Sequence, residues 1–265
     1  MEFSQLGSFL QIYFGIVAFV LGTVFGSFLN CAAWRISHHM SFLKGRSICP
    51  NCRHELSAMD LIPIISFLLF RGRCRYCKEK ISIRYPITEL IFGILSLLTF
   101  ISTGITPLFL RNFIFLCCLF CLSLVDLEIF EIPDGALVIS VLAWVVFLPF
   151  TGWEIKEMLL HFLAGVVFLI VFLLLALTMD KLLKKESLGG GDIKLIAVIA
   201  LYLGFVGTVF MAIFAAAVGL IVVSVINRGL CEAEPIPFGP FLSGACVGMM
   251  LFGQPLVTWY MDLLI

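Results

Sequence analysis

Apolar residues in this chain come in long runs separated by short polar stretches, with little alternation between the two. Runs of about twenty apolar residues match the length a helix needs to cross a bilayer. Eight such segments are read from the sequence: about Phe9 to Cys31, Pro86 to Ser102, Leu108 to Val125, Gly135 to Phe150, Met158 to Met179, Asp192 to Leu203, Val206 to Ile226 and Phe238 to Ile265. The sixth is short, and its separation from the seventh rests on "LYLGFVG" alone. The expected fold class is therefore an all-α polytopic membrane protein of about eight transmembrane helices. The chain opens Met-Glu without a basic n-region or a small-residue cleavage motif, so the first run reads as a retained span.

The pattern fails between about Ala33 and Tyr85, where charges, prolines and four cysteines replace the apolar run. This reads as a small zinc-binding cytosolic insertion. The expected division is 1–32 as the first transmembrane helix, 33–85 as the four-cysteine insertion and 86–265 as a transmembrane bundle. Inside the insertion, "LIPIISFLLF" is too short to cross and reads as a half-buried hydrophobic segment. No internal repeat or low-complexity tract is evident.

Composition strengthens the membrane reading. The chain is 62% hydrophobic and 13% charged, against about 45–50% and about 25% in soluble domains. Net charge is zero, so no basic footprint for nucleic acid exists and membrane lipid is the expected surrounding. Of the 17 Lys and Arg residues, ten lie between Arg35 and Arg84. Lys181, Lys184, Lys185 and Lys194 follow the fifth span, and Arg228 follows the seventh. With eight spans these fifteen share one side, leaving Arg111 and Lys156 opposite. The positive-inside rule then makes the insertion cytoplasmic and puts both termini outside.

The ten cysteines form two populations. Cys31, Cys117, Cys118, Cys121, Cys231 and Cys246 lie in or beside apolar runs and read as small buried hydrophobes. Cys49, Cys52, Cys74 and Cys77 form CPNC and CRYC pairs with 21 residues between them. Two C-x-x-C knuckles at this spacing point to a four-thiolate zinc site. The loop lies on the reducing side, where disulfides are disfavoured. Four thiolates leave no open position for a catalytic water, so the site reads as structural.

Two carboxylates stand at the expected cytoplasmic ends of spans: Asp126 in "LSLVDLEIF" and Asp192 in "GGGDIK". A carboxylate within the membrane is costly and usually functional. Two that meet can share a proton, one serving a water as base and the other a carbonyl as acid. The plainer alternative is a pair of interfacial residues marking helix ends, with Asp192 as a cap. Glycines 189–191 let the backbone turn sharply and approach a neighbour closely. Glu128, Glu131 and Asp134 follow Asp126 with no basic residue between, an acidic loop suited to a cationic partner or simply a solvated turn. Glu89 reads as a dipole partner at the start of its helix. His38, His39, His54 and His161 carry no catalytic signal.

Six stretches, in order, resemble one family along nearly the whole chain: "FGSFLNCAAWR" at 25–35, "CPNC", "LIPIISFLLFRGRCRYC", "ISIRYPITEL", "DLEIFEIPD" and "GGGDIKL", joined by "IPFGPFL" at 236–242. The family is that of the type IV prepilin leader peptidases, bifunctional enzymes of pilus, type II secretion and competence systems. The resemblance implies that Asp126 and Asp192 are the catalytic pair of an aspartyl endopeptidase, with Gly189 and Gly191 forming the G-x-G-D loop. The implied substrates are prepilin or pseudopilin precursors, whose short basic leader is cut at the cytoplasmic face of the bacterial inner membrane. It also implies N-methylation of the new terminus with S-adenosylmethionine as donor, an activity of the cysteine insertion. Gly72 and Arg73 fall on positions linked to that step. No glycine-rich strand-to-helix fingerprint for the donor is present, so methylation rests on the resemblance alone. Relatives that only cleave usually lack the cysteine loop. The alternatives are a G-x-G-D protease acting on other membrane peptides and a proton-coupled transporter. The transporter predicts carboxylates nearer mid-span and repeat symmetry, and neither is apparent.

Overall fold

The computed structural model describes residues 3, 7–41, 45–49, 51–184, 188–226 and 236–264. Lys44, Lys185 and Arg228 of the charge count, and Cys231, lie outside the described residues. Nine α-helices occur among the described residues, and the only bridges there are two isolated pairs. They divide into two compact units, 1–124 and 125–265.

The first unit is built on α1 (Ser8–Ser37) and α3 (Arg84–Thr103), which run antiparallel in close contact. Glycine lets them touch: a Cβ on Gly22 would lie 2.6 Å from Ser96 Cβ, and one on Gly26 would lie 3.0 Å from Phe92 Cβ. Such small-residue seams are how membrane helices approach each other without a hydrophobic driving force. Hydrogen bonds cross the seam at both levels. Ser96 Oγ donates to the Ala18 carbonyl at 2.7 Å, and Asn30 Nδ2 donates to Thr88 Oγ1. Helix α4 (Pro107–Ile129) joins through rings: Phe113 lies 5.1 Å from Phe25 and Phe120 lies 4.9 Å from Phe92. Between α1 and α3 sits the insertion, with a 3-10 turn at Ala58–Leu61 and one short helix, α2 (Ile65–Leu69).

The second unit holds α5 (Asp134–Phe147), α6 (Ile155–Leu183), α7 (Gly190–Ile226), α8 (Gly239–Phe252) and α9 (Gln254–Leu264). Helix α7 is central. It meets α6 where Gly165 faces Leu201, and it meets α5 through a 2.7 Å bond from Tyr202 Oη to the Ser140 carbonyl. Within α7, Gly204 leaves helical geometry with φ 65°. A break strands carbonyls of the preceding turn. Here His161 answers: its Nδ1 lies 3.0 Å from the Leu201 carbonyl, and its ring, stacked on Trp153, fills the space beside Gly204. A carbonyl can only accept, so Nδ1 carries the hydrogen. His161 is thus a satisfied structural histidine.

Among the described residues, five helices are long and apolar enough to cross a membrane: α1, α3, α4, α6 and α7. A sixth forms if α8 and α9, bent by 76°, count as one. Helix α5 is shorter, at 14 residues. The helical, multi-span architecture is the expected one, but the number eight is not recovered. The difference lies in α5, which is short, and in α7, which is broken at Gly204 but counts as one of the five. The break inside α7 falls in "LYLGFVG", where a division was expected. Outward-facing Leu160, Phe162, Leu163, Ile170, Leu174 and Leu177 on α6 leave an apolar surface suited to lipid.

Candidate active site and metal centre

Asp126 sits in the last turn of α4, and its side chain is almost fully buried. Its Oδ2 accepts the backbone N–H of Gly239 at 2.8 Å. Gly239 is the first residue of α8, so this amide is one that a helix start leaves without an internal partner. The positive end of α8 therefore faces a carboxylate. Any side chain at 239 would collide, because a Cβ there would lie 2.6 Å from Asp126 Oδ2.

Asp192 lies in the first turn of α7, directly after the glycines. Asp126 and Asp192 belong to the same compact unit. The glycines are not equivalent. A Cβ on Gly189 would approach Asp192 Oδ2 to 3.3 Å. One on Gly191 would sit 2.9 Å from Ile132 Cβ, whereas one on Gly190 meets nothing within 4 Å. Gly191 is what lets α7 begin against the segment that follows α4. Beside it, Lys194 Nζ bridges to Asp134 Oδ1 at 2.7 Å, tying the starts of α7 and α5. Part of the acidic loop's charge is thus answered within the chain.

Sequence reasoning missed Gly239. "IPFGPFL" was noted as a pattern, yet nothing in it shows that its glycine N–H reaches a residue 113 positions away. The only local hint is a glycine-proline pair opening an apolar run, a helix-start signature.

The insertion brings its four cysteines together, with the sulfurs all within 4.8 Å of one another. The pairs are built alike, 25 residues apart. Cys49 N–H donates to the His54 carbonyl at 2.9 Å, and Cys74 N–H donates to the Glu79 carbonyl at 2.8 Å. Arg53 N–H closes back on Cys49 and Lys78 N–H on Cys74, with φ of 57° and 62° at Arg53 and Lys78. The His54 and Tyr76 rings, tilted by 35° with centroids 3.6 Å apart, join one knuckle to the other. Tetrahedral zinc with thiolates at about 2.3 Å sets sulfur–sulfur edges of about 3.8 Å. The Cys49–Cys77 separation is 3.9 Å, so the donor set fits. The N–H of Glu79 brings the Cys77 thiol down to about 7, while, against the N–H of His54, burial and the neighbouring thiols push Cys52 up to about 11, so the quartet titrates as one set.

Gly72 and Arg73 lie just before the second knuckle. Gly72 has φ 66°, and its Cβ position is filled by the Phe67 ring at 2.9 Å. Its N–H donates to the Phe67 carbonyl and its carbonyl accepts Ile81 N–H, each at 2.8 Å. Turn geometry and packing account for this glycine.

Residues 20–103 match the bacterial peptidase A24 N-terminal domain, and residues 113–225 match the type IV leader peptidase family. A prepilin leader peptidase/N-methyltransferase of Bacillus subtilis is 31% identical over 255 residues, covering 93% of this chain and 98% of its own. One of Burkholderia pseudomallei is 31% identical over 284 residues, covering 96% and 89%. A type 4 prepilin-like proteins leader peptide-processing enzyme of Escherichia coli is 31% identical, covering 86% and 90%. No solved structure matches. The chain belongs to the type IV leader peptidase family.

Proposed function

We propose that this protein is a multi-pass inner-membrane aspartyl endopeptidase that removes the leader of prepilin-like precursors and N-methylates the new terminus. What supports the peptidase reading is the family match together with two carboxylates, Asp126 and Asp192, that stand at helix ends within one compact unit, each lying against a glycine. A Cβ on Gly239 would lie 2.6 Å from Asp126 Oδ2, and one on Gly189 would lie 3.3 Å from Asp192 Oδ2. One carboxylate takes a proton from a water, whose oxygen attacks the scissile carbonyl, while the other donates a proton to the carbonyl oxygen. Collapse releases the leader as a carboxylic acid and the mature chain as a free amine. The pair titrates as a unit, so neither residue is assigned one role. No acyl-enzyme is involved.

The distribution of Lys and Arg supports a cytoplasmic placement for this site and for the insertion, with both termini outside. A short basic leader suits the acids after Asp126. S-adenosylmethionine, when bound, supplies the methyl group that the freed amine takes up. The insertion, braced by zinc on Cys49, Cys52, Cys74 and Cys77, is the proposed seat of that step, and Gly72 and Arg73 are candidate positions for it.

Replacing Asp126 or Asp192 singly with Asn tests the peptidase reading. Cleavage of purified prepilin by either variant in vesicles should fall by about 10²–10⁴-fold. Near-normal cleavage by either would overturn it, and cutting of other membrane peptides with pilin precursors left intact would point to a different substrate.

A further inference from the structure

We infer that the insertion carries a membrane-docking face: α2 and the turn before it lie on the bilayer surface as an interfacial anchor. Ile65, Leu68 and Leu69 occupy one side of α2, at i, i+3 and i+4, and all three are exposed, Leu68 by 68%. Met59, Leu61 and Ile62 just before it are exposed too. The opposite side is used inside the insertion, where Phe67 packs on Gly72. Six large apolar side chains facing water make an unfavourable patch.

The depth of this face can be read from the helices it joins. The Asn30–Thr88 hydrogen bond pairs the end of α1 with the start of α3, so the insertion is rooted at one membrane surface. Trp34 and Tyr85, four residues after Asn30 and three before Thr88, supply the aromatic side chains that mark a headgroup level. Glu89 lies one turn inside Tyr85, about 6 Å along the axis. It is buried, and its Oε2 accepts the backbone N–H of Ile64 at 2.7 Å. Ile64, a β-branched residue, is held at φ 61°, a conformation that only a strong local constraint maintains. This contact pins the chain entering α2 at the boundary between headgroups and acyl chains, the depth of about 5–10 Å at which interfacial helices lie. Arg71, Arg73 and Arg75 follow at once, as cations do where a chain returns to an anionic lipid surface. The occupant is therefore the host bilayer. The inference rests on the multi-span architecture and is independent of the peptidase assignment.

The full chain, reconstituted in vesicles of phosphatidylethanolamine and phosphatidylglycerol, is photolabelled with a phospholipid bearing a diazirine near its glycerol end. Peptide mass spectrometry should find label on residues 59–69 as well as on α1 and α3, and none on the first cysteine knuckle. Leu68→Glu with Leu69→Glu should cut labelling of that segment by about fivefold or more, with the size-exclusion profile and the labelling of α1 and α3 unchanged. Label on α1 and α3 with none on 59–69 would overturn the inference, and crosslinking of that bare face to an added prepilin would reassign it to a protein partner.

Discussion

At the residue scale, glycine is the informative residue of the candidate active site, through the Cβ it lacks. The G-x-G-D pattern specifies positions 189 and 191 and leaves 190 open, and the geometry gives the reason. Space beside Gly190 is empty, while Gly191 is pressed on Ile132. Gly190→Ala should therefore leave prepilin cleavage within about twofold of the parent, since a helix-start alanine costs little. Gly191→Ala must push α7 off Ile132 and displace Asp192, and misplacing a catalytic group by about 1 Å costs on the order of 100-fold. Kinetics of the two variants on one precursor check both halves, and equal losses would deny the distinction. The positions of both aspartates and of glycines 189 and 191 were legible as a motif. Gly239 was not, because an amide donated across 113 residues leaves no periodic or compositional trace. "FGSFLNCAAWR" shows the converse: two of its residues, Gly26 and Asn30, prove to be the seam between α1 and α3.

At the element scale, apolar run length placed the ends of α3, α4 and α6 within four residues and those of α1 within six, because burial in lipid demands little beyond length and apolarity. It said less about α7, where a continuous apolar composition conceals a break that only one glycine marks. The sequence showed where such a break belonged but not what would satisfy it. His161, forty residues away on α6, supplies the missing donor. His161→Leu should leave the Leu201 carbonyl unsatisfied and lower stability by about 1–3 kcal/mol. The lower melting temperature should appear in differential scanning fluorimetry of the detergent-solubilised protein. His161→Asn, which keeps an N–H donor, should recover part of the loss. An unchanged melting temperature in the Leu variant would show that the carbonyl finds another partner. The same contrast holds in the insertion. Its cysteine spacing was plain, but the strained turn at Ile64 and its hold on Glu89 depend on a contact between the loop and a helix 25 residues further on.

At the scale of the whole molecule, Asp126, Asp192 and Gly239 all belong to the second compact unit, and the cysteine quartet belongs to the first. Length, apolarity and charge order gave the class of molecule, while the span count stayed open because one helix is short and two others bend. The division suggests that the two activities can be separated. A four-thiolate zinc site contributes about 10–16 kcal/mol of apparent binding free energy, so losing a ligand should unfold an insertion with few buried apolar groups of its own. It should leave α7, α8 and the aspartates in place. Cys49→Ser or Cys74→Ser should therefore reduce zinc from about one ion per chain to near none, measured by atomic emission on freshly purified, reduced protein. Co-expressed prepilin should then be shortened as before but lack the added methyl group in its intact mass. If zinc is lost and cleavage disappears with methylation, the peptidase depends on the folded insertion and the two units do not work apart. If the wild-type protein carries no zinc, the quartet has another purpose and the knuckles must be held by their hydrogen bonds and the His54–Tyr76 ring contact.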